Sequence, residues 1–355
     1  MLPPEAGIPM IRRELTSAET RGELVVAQRL GIMSNEWDET GGLDIQALAA
    51  SLGSRVPVQG PMVGKVTGMT LNGGLTMETT LDPKAQPFLY DHRIDGTPVL
   101  PGVIGIEAFA ETALCLHPGW HIEAIEEVSF LAPFKFYRDE PRTVTIQAFF
   151  HPQGDDLVAD CRLVGRRTLP NHSQPQETIH FTARVRATRQ PPEASAGVPL
   201  RLSSEGIVDA AKIYHIYFHG PAYQVLDRAW LDGEVMICQM SEDLPSDHDP
   251  STGPTLIGPR LIELCFQTAG LLEISEHNRM GLPLYVHQVI WSCTPELAAG
   301  PLFAVVTPDA SGEKFDAEVV DTRGNRYLRL TGYRTVTLPD SIDAEPLQAL
   351  QHVTA

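Results

Sequence analysis

The chain has 355 residues, 43% hydrophobic and 20% charged, with a formal charge of −18. That composition argues against a mostly disordered chain, and 45 acidic against 27 basic residues argue against a surface built to grip nucleic acid or an anionic membrane. Five scattered cysteines (Cys115, Cys161, Cys238, Cys265, Cys293) with no C-x-x-C argue against a disulfide framework or a structural zinc site, and no apolar run approaches the ~18 residues that span a bilayer. The N-terminus has no apolar core of a signal peptide, so the expectation is a soluble, cytoplasmic protein with reduced thiols.

Residues 1–58 read as an appendage without a core of its own, with a strand-like run at Leu24–Ala27 and a loop at Glu36–Gly42. Val63–Met69 and Leu75–Leu81 flank Asn72-Gly73-Gly74, which predicts a hairpin. After Pro101 comes GVIGIEAFAETALCL, apolar nearly all round, which predicts a helix buried on most sides. Strands follow at Ile125–Phe130, Thr143–Phe150, Leu157–Val164 and Thr178–Ala187, with an exposed turn at Arg166–Glu177. Residues 189–200 form a Pro- and Ala-rich linker. Beyond it come a short helix at Ser204–Tyr214, strands at Leu226–Leu231 and Val235–Met240, and an acidic loop at Glu242–Pro254. A second apolar helix runs from Gly258 to Leu272, before strands at Pro283–Cys293, Pro301–Pro308, Lys314–Asp321 and Arg326–Leu338. Residues 339–355 read as a tail.

Residues 59–188 and 201–338 thus each hold one apolar helix among strands, and each helix carries an early glutamate, Glu107 or Glu263. The expected fold is α+β: two antiparallel sheets, each wrapped around a central apolar helix, packed as a pseudo-dimer. Just before the first helix stands His92-Arg-Ile-Asp-Gly96-Thr-Pro-Val-Leu-Pro101-Gly102, an H-x-x-x-G-x-x-x-x-P pattern. A neutral imidazole in an apolar turn can act as a base near pH 7. The adjacent helix N-terminus favours charge developing on a bound carbonyl oxygen. Alone, the same histidine could equally be a loop residue bonded only to backbone.

That pattern, followed by a buried helix, resembles the dehydratase domain of type I polyketide synthases, and among these the iterative systems. Residues 217–224, Tyr-Phe-His-Gly-Pro-Ala-Tyr-Gln, follow Ile216 and resemble the family's G-Y-x-Y-G-P-x-F-Q, with Ile216 and His219 in place of Gly and Tyr. Pro259-Arg-Leu-Ile-Glu263-Leu-Cys-Phe-Gln267 resembles P-x-x-x-D-x-x-x-Q with Glu for Asp. The resemblance covers about residues 60–338, and residues 1–58 resemble the exit of a ketoreductase domain.

The resemblance implies a double hotdog fold that dehydrates a β-hydroxyacyl thioester held on an acyl carrier protein. His92 would take the α-proton and Glu263 would protonate the leaving hydroxyl. Gln267 and Tyr217 would orient that hydroxyl, and Gly96, Pro101, Gly102, Val103, Gly220 and Pro221 would shape the binding site. A carboxyl on an apolar helix is expected to titrate high, as a general acid should. Glu107 and His219 would form a second, mirror site. Otherwise Glu107 is a hydrogen-bonded buried acid and His219 replaces the family's tyrosine beside the main pocket; a third alternative makes Glu107 the working acid. No metal or other cofactor is expected. The implied partners are the carrier protein, docked on a rim of Arg138, Arg142, Arg184 and Arg186, and neighbouring synthase domains such as a ketoreductase; a homodimer is compatible. Rival functions are a product-template-like cyclase or isomerase, a hotdog thioesterase, and a non-catalytic acyl-binding scaffold.

Overall fold

A computed structural model describes residues 4–16, 60–69, 74–115, 117, 119–167, 175–198, 200–251, 253–292, 298, 300–337, 347 and 350. In the first half, strands are made where β-branched and aromatic residues alternate with polar ones. Along β6 (Arg142–Gln153), Val144, Ile146, Ala148 and Phe150 are buried while Gln147 and Phe149 face away. Along β8 (Gln176–Thr188), Phe181, Ala183, Val185 and Ala187 do the same between outward Arg184 and Arg186. With β1 (Lys65–Met69), β2 (Gly74–Leu81), β5 (His121–Phe130) and β7 (Asp156–Arg167) they wrap the helix α3 (Gly102–Leu114), which is buried from Val103 onward. The short helix α2 (Pro87–Tyr90) and the two-residue strands β3 (Arg93–Ile94) and β4 (Thr97–Pro98) complete this half, and a 13-residue helix, α1 (Pro4–Thr16), precedes it in the chain.

The second half repeats the plan around α5 (Pro259–His277). Its sheet comprises β10 (Val208–Asp209), β11 (Leu226–Asp232), β12 (Val235–Met240), β13 (Gly281–Trp291), β14 (Leu302–Pro308), β15 (Phe315–Asp321) and β16 (Asn325–Thr337). Each half is therefore a sheet wrapped around an apolar helix, the double hotdog arrangement. The two sheets are not separate. They pair antiparallel through β5 and β13 (Ser129 with Tyr285, Val128 with Val286, Ala124 with Ile290), giving one 14-stranded sheet in the order β1-β2-β6-β7-β8-β5-β13-β16-β15-β14-β12-β11-β10, with the two-residue β9 (Ser195–Ala196) off this path beside β16. Joining the two edge strands satisfies the N–H and C=O groups that each half alone would leave open. Helices α3 and α5 pack against each other inside it.

Three expectations change. The helix predicted over 204–214 is α4, Ala210–Ile216, because Asp209 caps it by accepting the Lys212 amide at 3.1 Å and Val208–Asp209 is strand. The linker is not free: Ser195–Ala196 (β9) pairs with β16, and the Gly197 amide donates to the Gly324 carbonyl at 2.9 Å. In the tail, Leu347 and Leu350 are fully buried in the main core. The hairpin is kept, with Met69 opposite Leu75, although Asn72 and Gly73 lie outside the described residues. The same is true of Leu24–Ala27, Glu36–Gly42, most of the 166–177 turn and Cys293; Cys115 is buried and donates to the Thr112 carbonyl, and Cys161, Cys238 and Cys265 are buried free thiols.

Helix α3 lies so close to the sheet that a Cβ built on Gly105 would stand 2.3 Å from the Phe181 ring. Adding that methyl overpacks the core at a cost of ~1–3 kcal/mol, which outweighs the ~0.5–1 kcal/mol that alanine gains over glycine within a helix. Gly105→Ala should therefore lower stability in urea unfolding by about 1–2 kcal/mol. A variant as stable as the parent would contradict this helix–sheet contact.

Candidate active site

The local chain path sets His92 first. Pro87 opens α2, whose missing N–H costs nothing there, and the short helix ends at Asp91. Asp91 then ties the two halves together: its carbonyl accepts the Gly220 amide at 2.7 Å and its Oδ2 accepts the Ala222 amide at 2.8 Å. Residue 220 must be glycine, since a Cβ there would lie 2.4 Å from Asp91 Oδ1. This clamp lays His92 beside His219 in an antiparallel bridge, with ring centroids 5.4 Å apart. His92 Nδ1 donates to the Val99 carbonyl at 2.8 Å, because a carbonyl can only accept. Its Nε2 is then the basic nitrogen. Burial lowers the His92 pKa to about 4; nearby His219 adds to this, against the opposing pull of Glu263 and the Val99 bond.

Glu263 arrives from the other half, on the second turn of α5. Glu263 Oε1 accepts two bonds: from Gln267 Nε2 at 2.8 Å, one helical turn on, and in an ion pair from His219 Nε2 at 3.2 Å. Burial pushes the carboxyl upward, but the His219 bond, the charges of His219 and His92, and Gln267 outweigh it and hold the pKa below the usual carboxylate range. The high-titrating carboxyl expected from the sequence is thus corrected: the helix is apolar, yet the carboxyl has a histidine for a neighbour. The sequence did not disclose that His219 and Glu263 touch. The signal was the His in place of Tyr two residues after Tyr217 in the Gly-Pro motif.

Gln267 is fully used. Its Nε2 also donates to the Tyr223 carbonyl at 2.9 Å, and its Oε1 accepts from the Tyr214 hydroxyl at 2.8 Å. The Tyr217 hydroxyl donates to the Gln267 carbonyl at 2.7 Å. Both residues line the cavity, but their N–H and O–H donors go to protein acceptors instead of to the substrate hydroxyl expected from the sequence. They fix the helix turn that carries Glu263. Tyr214, overlooked in the sequence, belongs to the same brace and also accepts the Leu226 amide at 2.8 Å.

These groups open on a cavity of about 360 Å³. His92, His219, Glu263, Gln267 and Tyr217 line it with Gly102 and the aromatic rings of Phe130, Phe181, Phe218, Phe266 and Tyr333. Exposed Leu131, Leu284 and Val336 also belong to its wall. The Ile104 and Gly105 amides both return to the Pro101 carbonyl, while those of Gly102 and Val103, at the helix start, have no acceptor within the helix. That positive helix end suits an oxyanion. Gly102 leaves room for Phe130, whose ring would meet a Cβ at 2.6 Å.

Other expected site residues stand apart. Pro101, Val103, Gly96, Gly220 and Pro221 are not among the residues lining this cavity. Gly96 makes the exposed β3–β4 turn at a φ of 74°, and Gly220 and Pro221 belong to the Asp91 clamp and the short turn after it. Glu107 and His219 do not meet as a second site: Glu107 Oε1 and Oε2 accept the amides of Leu256 at 2.5 Å and Ile257 at 3.1 Å, while His219 belongs to Glu263. Of the basic rim, Arg184 and Arg186 are engaged by Asp160 and Glu126. Arg142 lies over the Phe134 ring and donates to the Lys135 carbonyl.

Residues 60–159 match the polyketide synthase dehydratase domain family, and residues 186–345 match the polyketide synthase dehydratase N-terminal domain. The chain belongs to the polyketide synthase dehydratase family. Polyketide synthase GfsB of Streptomyces halstedii is 24% identical over 246 residues, covering 62% of this chain but 4% of that protein. A polyunsaturated fatty acid synthase polypeptide of a Thraustochytrium species is 27% identical over 172 residues, covering 47% of this chain and 6% of that protein. The chain thus spans a small part of the curated relatives it matches. Among solved structures, the dehydratase domain from the CurF module of curacin polyketide synthase superposes with a TM-score of 0.64 at 15% identity, over 78% of this chain and 99% of that one. A dehydratase from a study of the borrelidin and fluvirucin polyketide synthases gives 0.60 at 21% identity, over 82% and 99%. Dehydratases are hydro-lyases, and among the described residues no helix is long and apolar enough to cross a membrane.

An NMR titration of the histidine rings should place the His92 midpoint near pH 4, well below the ordinary 6.5. The unfolded chain binds the proton first, so the stability gained by keeping this ring neutral is present above pH 6.5 and is lost as the pH falls toward 4. A midpoint at 6 or above would contradict the buried, carbonyl-bound ring.

Proposed function

We propose that the chain removes water from a β-hydroxyacyl thioester carried on the phosphopantetheine arm of an acyl carrier protein, leaving an α,β-unsaturated thioester during polyketide or polyunsaturated chain assembly. The observation that carries this reading is that His92 and Glu263, from opposite halves, line one apolar cavity with His219 between them. His92 Nε2 takes the α-proton, and the C–H electron pair becomes the Cα–Cβ double bond. The thioester oxygen meanwhile gathers charge at the positive helix start beside Gly102, which lines the cavity. The Cβ–O bond breaks, and the hydroxyl leaves as water with a proton from Glu263.

His219 and Gln267 make the ionised form of Glu263 the major one; the protonated carboxyl gives its proton to the hydroxyl, and the two bonds at Oε1 stabilise the carboxylate left behind. Both hydrogen bonds to the carboxyl fall on Oε1, which leaves Oε2 for the substrate. Proton transfer from one side chain and to another completes the elimination, so the reaction as written calls on no cofactor. The match of far longer synthases over this stretch alone supports neighbouring synthase domains and a tethered carrier as partners. A dehydratase unit of residues 59–338 in two hotdogs fits this assignment. A non-catalytic scaffold would need the cavity blocked or the two groups apart, and a cyclase or isomerase has no observation of its own in its favour.

Incubation with a panel of 3-hydroxyacyl thioesters, followed by mass spectrometry, should show loss of water. His92→Ala and Glu263→Gln should each slow it by ~10²–10⁴-fold, the usual contribution of one acid or base. Full turnover in Glu263→Gln would overturn the assignment.

A further inference from the structure

The chain contains its histidine–glutamate arrangement twice. His92 is followed fifteen residues later by Glu107, and His248 fifteen residues later by Glu263. Both histidines follow an aspartate, Asp91 and Asp247. Each glutamate sits early on one of the two central helices, with a polar residue four positions on, Glu111 or Gln267. The reacting pair is crossed, His92 of the first half with Glu263 of the second. The mirror pair is crossed the other way, His248 with Glu107: His248 holds Gly253, Glu107 holds Leu256 and Ile257 of the same short segment, and the charge of Glu107 acts on His248. The histidine that shares a segment with Glu107 is therefore His248, while His219 is bonded to Glu263.

The mirror copy is closed by the chain itself. His248 Nδ1 bonds Asp247 Oδ1 at 2.7 Å and its Nε2 bonds the Gly253 carbonyl at 2.6 Å, so both ring nitrogens are taken. Glu107, fully buried, accepts the Leu256 and Ile257 amides, and the Ile257 carbonyl accepts from Trp291 Nε1 at 2.8 Å. The segment from Gly253 to Ile257 lies where a ligand of a working pair would sit, and it leads directly into Gly258, the start of α5. Arg260 in the first turn of α5 continues the brace: it donates to the Ala222 carbonyl at 3.0 Å and lies 3.7 Å from Asp247.

We infer that Glu107 and His248 are a second, sealed copy of the reacting pair that now acts as a latch, pinning the approach to α5 and so positioning Glu263 against His219 and His92. Glu107 is a positioning residue for the dehydration proposed above, on which this inference rests. The effect is one of leverage. Glu263 is only five residues beyond Gly258, and its Oε1 must stay within hydrogen-bond range of His219. A shift of ~1 Å at the helix start would break that contact, and misplacements of that size can cost ~10²-fold in rate.

The test compares Glu107→Gln and His248→Ala in the full chain with the parent. It measures kcat and KM per folded molecule on a 3-hydroxyacyl thioester and, separately, the ring resonances of His92 and His219. Glu107→Gln keeps shape and one acceptor but loses the other; His248→Ala releases Gly253 from near the surface should the first variant fold poorly. The latch predicts a kcat about tenfold or more lower with KM within about twofold, together with shifted His92 and His219 resonances. Parent-like resonances and kcat in a folded variant would overturn it, as would complete loss of turnover in Glu107→Gln alongside a working Glu263→Gln. An inactive parent with shifted resonances in the variants would instead fault the dehydratase reading and leave the latch standing.

Discussion

The structure turns on one buried contact, the ion pair between His219 and Glu263 in an interior of aromatic and aliphatic side chains. A carboxylate taken from water into such surroundings is costly unless it is paired and hydrogen-bonded. Here it has His219 and Gln267, and the cost of maintaining them is visible as far as the opposite half. Gln267 is held by Tyr214 and Tyr223, the Tyr217 hydroxyl holds the helix backbone at Gln267, and Asp91 clamps the segment that presents His219. Asp91 immediately precedes His92. The residue that fixes the partner of Glu263 is thus chained to the proposed base, and neither half alone can assemble the site.

That arrangement explains how two groups of opposite role share one cavity. Burial drives His92 toward the neutral, proton-accepting form. The same burial would drive Glu263 to the neutral form, but His219 reverses the direction. In the elimination proposed here the acid is therefore a carboxyl whose ionised form His219 stabilises. The helix start at Gly102 adds unpaired amides without adding charge, which suits a thioester oxygen that becomes negative only in passing.

Much of the fold was legible because its two signals are strong. The helices after Pro101 and Gly258 are apolar on nearly every face, and the strands alternate with period two, so the two halves and their central helices follow from pattern alone. What pattern could not convey was contact. Nothing in Ile125–Phe130 or Pro283–Cys293 tells that β5 and β13 pair, since edge pairing depends on where the halves meet. His92 and Glu263 were found by motif, whereas the His219–Glu263 contact, the brace on Gln267 and the sealing of Glu107 by two amides depend on distances across the halves. The alternative reading of Glu107 as a hydrogen-bonded buried acid, with His219 beside the main pocket, is the one the distances favour. Leu347 and Leu350 were hidden by the polar company they keep, and only the core shows their use.

The central claim is that two side chains from separate halves act on adjacent carbons of one substrate. A 3-hydroxyacyl thioester carrying deuterium at both α positions measures this directly. Elimination predicts a product lighter by one deuterium and one hydroxyl, the two lost together and at a rate slowed by the isotope. Deuterium washed out of unreacted substrate without loss of water, or release of a free thiol with the hydroxyl retained, would contradict it.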